Sequence, residues 1–106
     1  MDDTDDFDLR RELVILRRAP LAIGRVVVTS GVAGGLSAVD IVTAIRRHSV
    51  GDWGELGEHD WEANTDALEH GGRILSAYTA ETSGERFWVI TEADRSITTV
   101  LFPDEY

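Results

Sequence analysis

RILSAYTAETSGERFWVITEADRSITTVLF, residues 73–102, decides the fold. It contains three runs rich in β-branched and aromatic residues: RILSAYT (73–79), RFWVITE (86–92) and ITTVLF (97–102). Such residues suit a pleated, half-buried surface. The connections AETSGE and ADRS are short enough to make hairpins. The three runs are therefore expected to form an antiparallel sheet in sequence order, ended by Pro103.

Upstream of the meander, residues 58–70 read as a helix with Trp61, Asn64 or Thr65, and Leu68 on one face, terminated by Gly71 and Gly72. Before it lies GDWGELG, residues 51–57, a turn-rich loop around Trp53. Ser37 followed by Asp40 resembles a capping box, with a helix through IVTAIRRH behind it. AIGRVVVT, residues 22–29, reads as a further strand. The expected fold is α+β, with two or three helices packed on a three- to four-stranded antiparallel β-meander. Residues 9–18 stay open between two readings. Leu9, Leu13 and Leu16 fit helical spacing, whereas LVIL would suit a short strand. Residues 1–8 read as a disordered acidic arm and 9–106 as a single α+β domain.

The 106 residues carry 20 acids and 10 bases, a formal charge of −10. Asp2, Asp3, Asp5, Asp6 and Asp8 supply five of the acids, and every base is arginine. A net negative field opposes non-specific binding of nucleic acid, which depends on neutralising phosphates. No cysteine is present, so disulfides, thiolate metal sites and thiol catalysis are excluded. No run approaches the roughly 20 apolar residues that span a bilayer. The acidic N-terminus does not resemble a secretory signal. The expected setting is cytoplasmic, with no membrane association.

Several constellations bear chemistry. The glycines Gly31, Gly34 and Gly35 lie between a strand and a helix, where phosphate is often cradled. They lack both the Lys-Ser/Thr of a P-loop and the GxGxxG spacing, so turn-making is the simpler role. His59 and His70 are too far apart on one helix to share a metal. They could pair with Glu62 and Asp66, but neither pair makes a three-ligand site, so no metal or cofactor is expected. Glu58, Glu62, Asp66 and Glu69 read as a solvated acidic face. His48 closes a helix, where the dipole favours its cation; the simpler role is a C-terminal capping histidine, and the other is a general acid, which a raised pKa would suit. The meander gathers Arg73, Ser76, Tyr78, Thr91, Glu92, Asp94, Arg95, Thr98 and Thr99. Strand alternation puts Arg73 opposite in face to Ser76 and Tyr78. Two guanidiniums beside one carboxylate could hold and cleave a phosphodiester; the alternative is an ordinary half-exposed sheet with Arg–Glu surface pairs worth under ~1 kcal/mol each.

Four stretches from His48 onward resemble a family of short bacterial and mobile-element proteins. They are H-x-x-GDWGEL (48–56), Asn64 with Leu68, RILSAY (73–78) and WVITEADRS-x-TT-x-L-x-P-x-x-Y (88–106). That family brings no settled activity. A second resemblance, carried by RIL…WVIT..DR..TTVLF, is to the closing strands of the microbial ribonucleases related to barnase and of the wider toxin nuclease fold. It implies that Arg73 contacts phosphate. Arg95 stands where that fold has its general-acid histidine, so the acid is missing unless His48 supplies it, and no glutamate upstream of Arg73 matches the usual base.

Two functions follow as expectations. The first is an RNA- or nucleotide-directed effector, of endoribonuclease type, carried by a mobile element. Arg73 and Arg95 would bind phosphate, Glu92 would be the base and His48 the acid, with Ser76, Tyr78, Thr91, Asp94 and Thr98 in support. The second is a non-enzymatic acidic inhibitor or adaptor that binds a basic protein partner by imitating nucleic-acid charge.

Overall fold

The computed structural model describes residues 21–106. The acidic arm and the open segment 9–18 lie outside the described residues. The elements run β1 (Arg25–Val28), α1 (Ser30–Gly35), α2 (Ala38–Ser49), α3 (Glu58–His70), β2 (Ile74–Thr79), β3 (Arg86–Thr91) and β4 (Ile97–Leu101). A 3-10 turn over Pro103–Glu105 follows. None of these helices is long and apolar enough to cross a membrane.

The meander forms as its short connections require. β2 pairs antiparallel with β3, and β3 with β4. The sheet has four strands in the order β1-β4-β3-β2 and is mixed, which corrects the expectation of a wholly antiparallel sheet. β1 runs parallel to β4, with Arg25 beside Ile97 and Val28 beside Val100. The physical reason is the connection. A two- to six-residue turn forces the chain back on itself, but β1 is followed by three helices, and a helical crossover leaves strand direction to packing.

Alternation along the strands divides the sheet into two faces. Tyr78, Phe87, Val89 and Val100 point toward the helices and pack with Val32, Leu36, Ala44 and Ala80. A second cluster joins Leu21, Trp53, Ala67 and Ile74, with Trp61 and Leu68 against it. On the reverse face, Trp88 meets the ring of Tyr106 edge-on at 5.8 Å.

The capping signals work locally. Ser37 Oγ accepts from the Asp40 N–H at 3.2 Å and starts α2. The glycine-rich stretch, read as a turn, is the short helix α1, because Thr29 accepts from the Val32 N–H and caps it. The carboxylate of Glu105 lies at its start, accepting from Thr29 Oγ1 at 2.7 Å and from the Phe102 N–H at 2.8 Å.

The outer edge of β2 is closed by side-chain and loop hydrogen bonds. Asn64 donates to the Leu75 carbonyl at 2.6 Å and accepts from the Leu75 N–H at 3.2 Å. In the GDWGEL loop, Glu55 N–H donates to Ala77 O at 2.7 Å, and Ala77 N–H donates to Trp53 O at 3.2 Å. Gly54 holds φ +73°, and a Cβ there would overlap the Ala77 carbonyl oxygen. Glycine is required at that point by both conformation and space. The edge is thereby protected from pairing with another chain.

Candidate functional site

His48 stands at the centre of a buried polar chain. The last turn of α2 directs its ring toward the sheet, where it is fully buried. Nδ1 lies 2.5 Å from Ser76 Oγ and Nε2 lies 2.8 Å from Thr91 Oγ1. Thr91 Oγ1 is 2.6 Å from Thr98 Oγ1, and the Thr98 hydroxyl donates to the Ile23 carbonyl at 2.7 Å. Ser76, Thr91 and Thr98 are themselves buried, and Trp53 closes the side of the imidazole at 5.7 Å.

The donor inventory fixes the direction of this chain. A carbonyl can only accept, so the Thr98 hydrogen goes to Ile23. Thr91 must then donate to Thr98, and His48 must donate to Thr91 through Nε2–H. In a neutral ring Nδ1 is left as acceptor, and Ser76 donates to it. Every polar atom is satisfied with an uncharged imidazole. Among the described residues, no buried side-chain nitrogen or oxygen lacks a partner.

This environment reverses the expected pKa of His48. Burial, and after it the nearby Arg95 cation, push the imidazole down to about 4. The helix dipole favours the cation by at most about 2 kcal/mol. Removing the ring from water while it faces another positive charge outweighs that.

Arg95 occupies a structural position. It sits in the β3–β4 turn with φ +63°, a left-handed conformation usually given to glycine. Its guanidinium donates to the carbonyls of Gly72 at 2.6 Å, Ala67 at 2.9 Å and Glu92 at 3.3 Å. It thus caps the C-terminal end of α3, where unpaired carbonyls and the negative dipole end attract a cation. Asp94 shapes the same turn. Its carboxylate accepts from Ser96 Oγ at 2.6 Å and from the Ser96 N–H at 3.0 Å, which holds its pKa below the ordinary value.

Arg73 and Glu92 meet on the reverse face, as strand alternation requires. Arg73 Nε lies 3.4 Å from Glu92 Oε1, and both side chains are nearly half exposed. Arg73 also donates to the Tyr106 hydroxyl at 2.6 Å and lies over that ring. The residues named for phosphodiester chemistry are therefore divided. Arg73 and Glu92 stand on the open face. His48, Ser76, Thr91 and Thr98 are sealed beneath the helices. Arg95 reaches the Glu92 backbone carbonyl rather than its carboxylate. Tyr78 lies on the helix side, donates to the Asp52 carbonyl at 2.6 Å, and has its pKa raised, chiefly by burial.

Two contacts escaped the sequence reading. Arg47 pairs with Asp52 at 2.6 Å and stacks over the Tyr78 ring at 4.7 Å. Asp40 accepts from Thr82 Oγ1 at 2.6 Å and the Glu81 N–H at 3.3 Å, tying α2 to the β2–β3 hairpin. The five-residue Arg47–Asp52 spacing, across a helix end, was the only local signal for either.

The outer stripe of α3 carries Glu58, Glu62, Asp66 and Glu69, with Trp61 and Thr65 between them along a shallow groove. All four acids are exposed. Asp66 also pairs with His70 at 3.0 Å. No group of three or more potential metal ligands is gathered among the described residues. Comparison with protein-family models, with curated proteins and with solved structures finds no match to this chain.

Proposed function

We propose that this protein is an acidic binding module that docks a basic protein segment along the outer stripe of α3. The observation that carries this reading is how the charges are used. Residues 21–106 contain fourteen acids and six arginines. Arg47, Arg73, Arg86 and Arg95 already bond acceptors of the protein itself. The α3 acids face solvent on both sides of Trp61, whose indole N–H donates to Gly54 O at 3.3 Å and fixes the ring. Glu58, Glu62, Asp66 and Glu69 recur at the three- and four-residue spacing of one helix face. A partner with arginines at matching intervals would meet both the carboxylates and the indole, and such complementarity sets on-rate and specificity.

Titrating the tryptophan fluorescence with an arginine-rich 20-residue peptide, beside a glutamate-rich one, tests this reading. Binding of the first alone is expected, weakening as salt rises. The double change Glu58→Lys with Glu62→Lys should weaken it at least about tenfold. Equal binding by the reversed variant would refute the docking surface.

A second reading, the ribonuclease-like effector, is supported by one contact, the Arg73–Glu92 pair on the open face. It predicts cleavage of labelled RNA by the wild type and none by Arg73→Ala. Intact RNA across several sequences would remove it.

A further inference from the structure

We propose that His48 is an acid-sensitive latch, whose protonation releases α2 from the sheet. The latch is built from one residue of each element that must stay together. His48 comes from α2, Ser76 from β2, Thr91 from β3 and Thr98 from β4, while the Ile23 carbonyl precedes β1. The chain has one direction of donation, and a neutral ring fits it with both nitrogens satisfied. A second proton, on Nδ1, would face the Ser76 oxygen. Ser76 would then have to swing its own hydrogen away, and the available acceptor is the neighbouring Tyr78 oxygen.

The charges around the ring make the cation costly. Arg95 faces it from the β3–β4 turn. From β2 the facing titratable group is Tyr78, a neutral phenol bonded to the Asp52 carbonyl. The Asp52 carboxylate is held by Arg47, the residue before His48, and Glu92 is held by Arg73 on the other face of the sheet. Neither carboxylate is bonded to the imidazole. An imidazolium here would be buried beside a guanidinium, and such a charge is relieved by opening to water.

The sign follows from linkage. The folded pKa lies below the ordinary 6.5, so the unfolded chain binds the extra proton first as pH falls. This contribution to stability is complete above about pH 6.5 and is lost on descent toward pH 4. The carboxylates held low, Asp40, Asp52, Asp94 and Glu105, lose their contributions only below the ordinary carboxylate range. From pH 7.5 to 5 these four carboxylates keep their contributions, and comparison with a His48 variant separates His48 from the exposed His59 and His70. The latch does not depend on what α3 binds.

Urea unfolding of the full chain at pH 7.5 and 5, with the His48 ring followed by NMR, tests the proposal. The unfolding constant should rise roughly 30-fold over that interval. The ring should stay neutral while the protein remains folded at pH 5. His48→Gln offers a donor and an acceptor without a titrating group, and it should reduce the pH effect to under about threefold. A wild-type change below about threefold would overturn the latch. So would a ring that protonates near pH 6 in an intact fold. If His48→Gln does not fold, the wild-type ring titration decides.

Discussion

The two faces of the sheet hold similar polar residues in opposite circumstances. On the helix side, His48, Ser76, Thr91 and Thr98 are buried, and their hydrogen bonds form one continuous chain. On the reverse side, Arg73 contacts Tyr106 at 2.6 Å and Glu92 at 3.4 Å in reach of water. A distance does not measure an energy. A buried polar group that loses its partner suffers its whole desolvation penalty, whereas an exposed one exchanges its partner for water. The formally charged pair on the open face should therefore matter less to stability than the uncharged chain beneath the helices.

The largest test removes the centre of the buried chain. His48→Ala leaves Ser76 and Thr91 without a shared partner and opens a cavity beside Trp53, and it should cost about 3–5 kcal/mol in denaturant unfolding. A loss below about 1 kcal/mol would mean that water reaches the site and that the two faces are alike. Gly54→Ala comes next. It forces a Cβ against the Ala77 carbonyl at positive φ, and a loss of about 2–3 kcal/mol is expected from the same measurement.

Arg95 lies between the two regimes, half-buried with its charge on carbonyl oxygens. Arg95→Ala should cost about 1–2 kcal/mol, since it loses the α3 cap and keeps the strained φ. Arg95→Gly should cost less, because glycine relaxes that conformation. The reverse order in calorimetry would show that the φ strain is negligible. The smallest effect belongs to Arg73. Arg73→Ala should change stability by less than about 1 kcal/mol, and a double-mutant cycle with Glu92→Gln should give a coupling of similar size.

The meander was legible because its runs are bounded by short turns, and a short turn allows only one strand direction. Helix α3 was legible from its apolar spacing and from the glycines that stop it. The parallel β1–β4 pairing was not legible, since nothing within RVVV specifies a partner some 70 positions away. Alternation put Arg73 on the face opposite Ser76 and Tyr78, where it stands, because a two-residue period is a property of the strand itself. The environment of His48 followed no such rule. Its neighbours in sequence, Arg46, Arg47 and Ser49, describe an ordinary basic helix end.

The sequence by itself determined the composition of each element, the order of the three hairpin strands, and the alternation that sorts their residues between two faces. These are local properties, set by backbone geometry and turn length. The tertiary structure alone decided which polar residues lie in water. It placed α2 over Ser76, Thr91 and Thr98, turned Arg95 onto the end of α3, and left the acids of α3 outside. Burial depends on what the rest of the chain lays over a residue, and a pKa depends on burial. His48 therefore read as a cation in the sequence and is a neutral donor in the fold.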